Sequence, residues 1–371
     1  MYASRVVIVQ PALPRYRLRL FNMISEKVPL LLVYSGASPE GVMSVDGERG
    51  FDVSIIDEVD LLGKLFWQKG VVSIVLRENI SNLVIGGNPR YLSSVIAILI
   101  AKFRKIPVVV WGHSMSSTSG TLRTWIRMRL MQFADTIMLY YPEEIERLPH
   151  RIRSRAIGVD NSIDTKAIFD VQESISNADV ASVRTQYGLC NTLLLITIGR
   201  ITAKANLGLV IKAVTLARQK QCQVKLVVIG DGPESAKLAR LCNELNVSES
   251  IIWLGELYDE RNIGVWMKAA DAFVYGGAVG LSLIHAFAYG LPAIISSDVR
   301  DHNPEALLFR SGHNGATFER DDPASLAHTI CEHIANPGLL RKMGENAHRV
   351  AHERLGIERM ASRFLDAIEN K

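Results

Sequence analysis

Short runs of Val, Ile and Leu recur along this chain, separated by segments long enough to hold one helix each. That alternation constrains the fold more than any other feature, because consecutive parallel strands can be joined only through a crossover, usually a helix. In the first half, the runs at Arg5–Gln10, Leu30–Tyr34, Asp52–Ile56, Leu83–Ile85, Pro107–Trp111, Thr136–Tyr140 and Ala156–Val159 read as strands. Helices are expected over Tyr16–Lys27, Arg90–Lys105 and Thr121–Phe133. From Asn161 to Asp179 the chain is polar, with little apolar periodicity before Val183, so a domain linker is expected there. A second series of strands follows at Thr192–Ile198, Val224–Ile229, Ile251–Leu254, Ala272–Tyr275 and Ala293–Ser296. The tail from Pro337 onward reads as helical and amphipathic.

Such a pattern predicts an α/β chain of two Rossmann-like, doubly wound domains facing a cleft, where the ends of both sheets would meet a ligand. The expected domains are 1–164 and 165–354, with a helix over 355–371 returning to complete the first. A length of 371 residues suits two domains. With 48% hydrophobic and 22% charged residues, the composition excludes disordered, collagen-like and mini-protein classes. A net charge of +4 does not imply nucleic acid, and no such partner is expected. The four cysteines, Cys190, Cys222, Cys242 and Cys331, lie far apart with no C-x-x-C pair. Reduced thiols in a cytosolic protein are therefore expected, rather than a zinc site or a disulfide framework. The apolar run at the N-terminus is too short for a secretory signal. No stretch reaches the ~18 apolar residues of a membrane span. The longest, Tyr91–Ala101, ends in Lys102, Arg104 and Lys105 and reads as a buried helix. The expectation is a soluble, cytoplasmic chain with peripheral membrane attachment.

The most informative stretch is Tyr275-Gly-Gly-Ala-Val-Gly-Leu-Ser-Leu-Ile-His-Ala-Phe-Ala-Tyr-Gly-Leu-Pro292. A strand runs into a turn with Gly276, Gly277 and Gly280, then an apolar helix, then Gly290-Leu-Pro292 before another strand. Glycines let a backbone approach a ligand, and the N–H groups at a helix start attract an anion such as a diphosphate. The G-x-G-x-x-G spacing is absent, so on glycines alone the stretch reads equally as a tight βα turn that binds nothing. Its residues resemble the donor-site motif E-G-F-G-L-x-x-x-E-A-M-A-x-G-x-P of the GT-B-fold, retaining glycosyltransferases of family 4. Other segments agree in the same order. Gly199-Arg200-Ile201-Thr202-Ala203-Lys204 resembles the family's G-R-x-x-x-x-K turn, and Val227-Val228-Ile229-Gly230-Asp231-Gly232-Pro233 resembles its strand with G-x-G-P. Asn161-Ser162-Ile163-Asp164 resembles the interdomain N-G-x-D. Pro14-Arg15-Tyr16-Arg17 and Trp111-Gly112-His113 match the first domain more loosely.

The chain departs from that pattern at three positions. Gly277 and His285 stand where the family has its two glutamates, and Ala205 occupies the usual place of the phosphate lysine, with Lys204 before it. A neutral imidazole at His285 can donate or accept a hydrogen bond and so keep a ribose-binding role, whereas Gly277 cannot replace a carboxylate. As a residue alone, His285 also reads as a core or helix-face histidine. Glu305, just after the next strand, is the candidate to supply a carboxylate to the donor. Arg200 ends an apolar strand, where it suits bidentate phosphate binding with Lys204 as a point charge; the other reading is two solvated loop cations. His113 follows the Val108–Trp111 run among glycine and serines. It reads as a contact to the donor sugar or the acceptor hydroxyl, or as a turn histidine. The resemblance implies a catalytic set of His113, Arg200, Lys204 and Glu305, with Gly199, Gly255, Gly277, Gly280, Leu281 and His285 along the donor. It implies no metal, and Asp321-Asp322 reads as a surface turn.

By the same resemblance, the activity is hexosyl-type transfer, with retention, from a UDP- or GDP-linked sugar to a glycan or lipid-diphosphate-linked acceptor in bacterial cell-surface polysaccharide synthesis. No cofactor beyond the nucleotide sugar is implied. The first domain would hold the acceptor, with His113 and the Arg15/Arg17 loop near the cleft. A nucleotide-sugar epimerase and a catalytically degenerate binding subunit are the alternatives. Between Arg90 and Ala134 the chain has seven cations (Arg90, Lys102, Arg104, Lys105, Arg123, Arg127 and Arg129) and no Asp or Glu. With Leu122, Trp125, Ile126 and Leu130 at helical spacing, the Arg90–Arg129 region reads either as a surface pressed on anionic lipid or as a core-facing helix with a solvated basic face.

Overall fold

The computed structural model describes residues 4–38, 43–45, 47–61, 63–114, 121–298 and 302–369. It divides into two compact units, one of residues 1–161 with 357–371 and the other of residues 162–356. In the first unit the elements begin β1 (Arg5–Val9), α1 (Arg15–Ser25), β2 (Leu30–Ser35), β3 (Asp52–Ile56), β4 (Glu58–Leu61), β5 (Leu65–Gln68) and α2 (Val71–Arg77). They continue with β6 (Ile80–Gly86), α3 (Leu92–Phe103), β7 (Val108–Gly112), α4 (Thr121–Phe133), β8 (Thr136–Leu139), α5 (His150–Arg153) and β9 (Ala156–Gly158). The second unit opens with α6 (Thr165–Ser174), α7 (Asn177–Gln186), β10 (Leu193–Ile198), α8 (Leu207–Gln219), β11 (Val224–Ile229), α9 (Ser235–Glu244) and β12 (Ile251–Gly255). It closes with α10 (Glu260–Ala269), β13 (Ala272–Val274), α11 (Leu281–Ala288), β14 (Ala293–Ser296), β15 (Gly315–Phe318), α12 (Pro323–Ile334) and α13 (Pro337–Arg354). The chain then returns to the first unit as α14 (Ile357–Glu369).

Both units are doubly wound. The first sheet has the order β3-β2-β1-β6-β7-β8-β9 and the second β12-β11-β10-β13-β14-β15, and every neighbouring pair in them is parallel. In each, the winding reverses beside the first strand, between β1 and β6 and between β10 and β13. Such switch points leave an opening beyond the carboxyl ends of the strands. Strands of this kind are buried on both faces, which explains why they read as unbroken apolar runs. In β1, Val7 and Val9 join a core with α2, α3 and α4, while Val6 and Ile8 join a second core with α1 and α14.

α14 shows why it belongs to the first unit. Ile357, Met360, Phe364 and Ile368 recur at helical spacing and are buried in the core with Leu20, Phe21 and Trp111. On its other side, Arg359 and Arg363 both reach the Asp160 carboxylate at 3.1 Å, and that carboxylate is otherwise sealed from solvent.

Three expectations need correction. The segment Asn161–Asp179 is not an irregular linker: after Ser162 and Ile163 it forms α6 and the start of α7, capped by Asp164 and Ser176. α7 buries none of its residues, so it carries no apolar period to read. Cys222 and Cys331 are joined in a disulfide across 109 residues, whereas Cys190 and Cys242 are free. Sequence spacing could not reveal this pair, because packing of α12 on α8 brings the two positions together. Finally, the helix at Tyr91–Ala101 is buried on one side only, with Ile96 and Leu99 exposed, and the antiparallel hairpin β4–β5 was not anticipated. No helix among the described residues is long and apolar enough to cross a membrane.

Phe364→Ala should cost about 3–5 kcal/mol, because it empties a fully enclosed aromatic site. Denaturant unfolding of the variant, followed by fluorescence, would measure this; a loss below ~1 kcal/mol would mean that α14 is not part of that core.

Candidate functional site

The carboxyl ends of three adjacent strands in the second unit form a ledge of bare backbone. β10 runs into Gly199, β11 into Gly230, and β12 ends at Gly255. The Gly199 N–H donates to the Ile229 carbonyl at 3.0 Å, and the Gly230 N–H donates to the Gly255 carbonyl at 2.7 Å. Gly230 has φ +132°, and a Cβ there would stand 2.0 Å from the Gly199 carbonyl oxygen, so only glycine fits. Gly199 and Gly255 are exposed, with open space where a side chain would be. Arg200 and Lys204, on the turn that follows β10, are both exposed.

Across the switch point, the turn after β13 packs backbone to backbone on that same Arg200–Asn206 segment. A Cβ at Gly276 would lie 2.3 Å from the Asn206 carbonyl oxygen, and one at Gly277 would lie 2.0 Å from that of Lys204. The Ala278 N–H also faces the Lys204 carbonyl, at 3.3 Å. Gly277 is therefore more than a lost carboxylate. Its place holds no room for any side chain, and the Lys204 carbonyl occupies the space instead.

Gly280 begins α11 without a side-chain cap; the Leu283 N–H turns back to the Gly280 carbonyl at 2.9 Å, which leaves the Leu281 and Ser282 N–H groups to an outside acceptor. Leu281 is the first residue of that helix and half-buried. The approach to it is clamped by His302. The His302 Nδ1 accepts the Val279 N–H at 3.2 Å, while its Nε2–H donates to the Ser296 carbonyl at 2.9 Å. Asn303 adds an N–H bond to the Val279 carbonyl at 3.0 Å. Glu305 lies next, on a 3-10 turn over Pro304–Leu308, and is only 5% exposed. Its carboxylate is thus enclosed rather than displayed on the ledge.

His285 is half-buried on α11 and is not alone. Its Nε2–H donates to Glu260 Oε1 at 2.8 Å, and the Tyr289 hydroxyl donates to the same oxygen at 2.8 Å. Glu260 is the first residue of α10, so a carboxylate from a neighbouring helix now stands beside the position where the family motif carries one. Burial first, and the Glu260 charge second, raise the Tyr289 phenol well above the ordinary tyrosine range. Gly264 makes room for that ring: a Cβ there would lie 2.5 Å from the Tyr289 oxygen. Asp231, in the turn after β11, accepts from Ser235 Oγ and the Gly232 N–H, bonds that hold its carboxyl below the usual range and fix the turn.

His113 belongs to the first unit, at the end of β7, with its ring 4.3 Å from that of Tyr140. Ser116 and Ser117, the serines further along, lie outside the described residues. The next residue, Ser114, is held by buried Glu144, which accepts its N–H at 2.9 Å and its hydroxyl at 3.0 Å. Burial pushes the Glu144 carboxyl up despite those donors. Arg17 is no loop residue facing an acceptor: it lies in α1, buried over the Trp111 ring at 5.2 Å, and donates to Asn161 Oδ1. Arg127 is likewise buried, so it does not belong to an outer basic face.

The structure thus joins Gly199, Arg200, Lys204, Gly277, Gly280, Leu281 and Glu305 through the contacts of adjoining loops, with Gly255 linked through Gly230 and His285 on α11. Sequence reading missed Glu260, Tyr289 and the His302–Asn303 clamp. Only Asp259-Glu260, an acidic pair at a helix start, left a trace of them, and it identifies the helix rather than its partner.

Restoring the family glutamate with Gly277→Glu should destabilise the protein by about 2 kcal/mol or more, since backbone must move to admit a Cβ. A thermal midpoint equal to the parent's would refute this packing. Above pH ~10 an unfolded tyrosine releases its proton while folded Tyr289 keeps it, so stability falls as pH rises beyond that point. Tyr289→Phe should flatten the decline between neutral and strongly alkaline pH. Urea midpoints collected across that range, with parallel curves for both proteins, would contradict the raised phenol.

Residues 185–350 match the family model described as glycosyl transferases group 1. The chain is 32% identical over 127 residues to an exopolysaccharide phosphotransferase of Streptomyces coelicolor, covering 33% of this chain and 13% of that protein. It is 26% identical over 195 residues to the alpha-monoglucosyldiacylglycerol synthase of Acholeplasma laidlawii, covering 51% of this chain and 46% of that protein. It therefore spans less than half the length of either relative. Among solved structures, Alr3699/HepE of Anabaena in complex with UDP superposes with a TM-score of 0.76 at 16% identity, and the same protein with UDP-glucose gives 0.71 at 14%; each covers 100% of both chains. At such identities the likeness is one of fold. The fold is GT-B, and residues 185–350 of the chain are similar to the group 1 glycosyl transferases.

Proposed function

We propose that this protein transfers a hexose from a nucleoside-diphosphate sugar to a glycan or lipid-diphosphate-linked acceptor, with retention at the anomeric carbon, in bacterial cell-surface polysaccharide synthesis. The observation that carries this reading is the ledge itself: bare backbone at Gly199 and Gly255, flanked by exposed Arg200 and Lys204 and by the uncapped start of α11. Backbone without side chains admits a flat nucleotide, and two cations with a helix N-terminus suit its diphosphate. A uridine or guanosine diphosphate donor fits the reading, with no further cofactor. The UDP and UDP-glucose complexes of Alr3699/HepE support the uridine choice.

During transfer the bond from sugar C1 to the diphosphate oxygen breaks and a bond from C1 to the acceptor oxygen forms on the same face. The acceptor's proton passes to the departing phosphate oxygen. Arg200, Lys204 and the α11 N–H groups stabilise the charge that grows there. His285, held by Glu260, presents its imidazole to the ribose, and Gly277, Gly280 and Leu281 shape the edge of the donor pocket. Glu305 supports the sugar end, and His113 orients the sugar or the acceptor hydroxyl. The protein works in the cytoplasm, at the inner face of the cytoplasmic membrane, which it meets through the Arg90–Arg129 region.

Thermal unfolding against UDP, GDP, ADP and their sugar conjugates tests the donor. One nucleotide family should raise stability, by about 2.7 kcal/mol at 100 times its Kd. Arg200→Ala should abolish that rise while shifting the ligand-free protein by less than ~0.5 kcal/mol, as an exposed substitution does. Equal losses in ligand response and intrinsic stability would remove the phosphate role from Arg200.

A further inference from the structure

The outer surface of three helices in the first unit departs from the ordinary pattern. α2, α3 and α4 cover one face of the seven-stranded sheet through Val71, Val75, Ala97, Ile98, Ala101 and Met131. A helix that packs on a sheet normally turns polar side chains outward. On α3, however, Ile96, Leu99 and Phe103 form an i, i+3, i+7 stripe facing solvent, and Phe103 is 90% exposed. On α4, Trp125, Arg129 and Phe133 make an i, i+4, i+8 stripe, with Ile126 beside it. Leu76 of α2, which packs along α3, extends the surface. Seven of the twelve large apolar side chains exposed among the described residues therefore lie on this layer, whereas the α1–α14 layer on the opposite face contributes Tyr16.

Charge identifies the occupant. No acidic residue occurs between Arg90 and Ala134, while Lys102, Arg104, Lys105 and Arg129 are exposed around the apolar stripes and Arg123 is half-buried. The Arg129 guanidinium lies 4.9 Å from the Trp125 ring centre, so cation and aromatic form one amphipathic group. A second copy of the chain seated here would set cations against cations. Aromatic and aliphatic tips interleaved with Lys and Arg match the boundary between acyl chains and anionic headgroups.

We propose that the outer face of α2, α3 and α4 docks on an anionic lipid bilayer, inserting Phe103, Leu99 and Trp125 shallowly while Lys105, Arg123 and Arg129 meet the headgroups. This inference rests on the membrane partner named above and changes how it is held. The grip is apolar insertion across two helices, and the Arg123/Arg127 pair is not its basis, because Arg127 faces inward.

The test is co-sedimentation of the full chain with vesicles of phosphatidylglycerol and phosphatidylcholine, compared with phosphatidylcholine alone. The parent should pellet with the anionic vesicles and far less with the neutral ones. L99S/F103S and R123Q/R129Q should each lower the partition coefficient by ~10-fold or more. Brominated lipid should quench a fluorescence component that Trp125→Phe removes. A parent that stays in the supernatant, an L99S/F103S protein that pellets like the parent, or an absence of quenching would each overturn the proposal. So would parent self-association without lipid that L99S/F103S abolishes, since the face would then be a protein contact. Nucleotide-induced stabilisation, measured on the same variants, should match the parent's. Vesicle binding needs no donor, so a protein that binds lipid but no nucleotide would sink the donor reading and leave this one standing.

Discussion

Contacts between backbones, with no side chain in between, are what the candidate site depends on. The turns after β10, β11 and β13 come together because Gly230, Gly276 and Gly277 each leave a carbonyl oxygen where a Cβ would otherwise stand. Parallel strands already bring their carboxyl ends to one edge of a sheet, but ordinary side chains would hold the connecting turns apart. Here the Lys204 carbonyl is drawn under the β13 turn, and that fixes where the Lys204 side chain and the start of α11 can be. The departure of this chain from the glycosyltransferase motif it resembles is thus coupled to local geometry. A glutamate at 277 and a carbonyl at that distance are mutually exclusive.

Charged groups away from the ledge follow a different logic. Asp160, Glu144 and Arg17 are buried and each has two partner residues: Arg359 and Arg363 for Asp160, Ser114 and Tyr141 for Glu144, and Asn161 and Met360 for Arg17. Buried ions are costly unless paired in this way, and removing one partner costs more than the pair contributes. These groups hold the first unit's strand ends and α14 in register. Glu144, by gripping Ser114, also fixes the backbone beside His113. In the second unit, Glu260 Oε1 serves two donors at once, His285 and the Tyr289 phenol, and that phenol is buried.

Much of the fold was legible because its strands are buried on both faces and so appear as plain apolar runs. Val224–Ile229 and Ala293–Ser296 fall where the runs predicted them, and so does the edge strand Asp52–Ile56, although none of its residues is buried. Legibility failed where burial was partial. α7 has no enclosed residue, and the β4–β5 hairpin buries only Phe66 and Gln68, so neither leaves a period to detect. At the site, the glycine positions and the exposed cations could be read, but the reason for Gly277 could not, because the clashing carbonyl lies 73 residues away in sequence. Arg17 and Arg127 misled for a related cause. An arginine in a list of cations looks solvated until the aromatic ring or carboxylate beneath it is seen.

The first unit is interrupted in sequence: its sheet is finished at β9, yet α14 follows the whole of the second unit. A chain leaving the ribosome therefore presents the face bearing Val6, Ile8, Leu32 and Trp111 before the helix that covers it has been made. The second unit is continuous and has all its strands in hand by then. Synthesis order and completion order are reversed, and the unit started first is the one that waits longest with apolar surface open to chaperones or to other nascent chains.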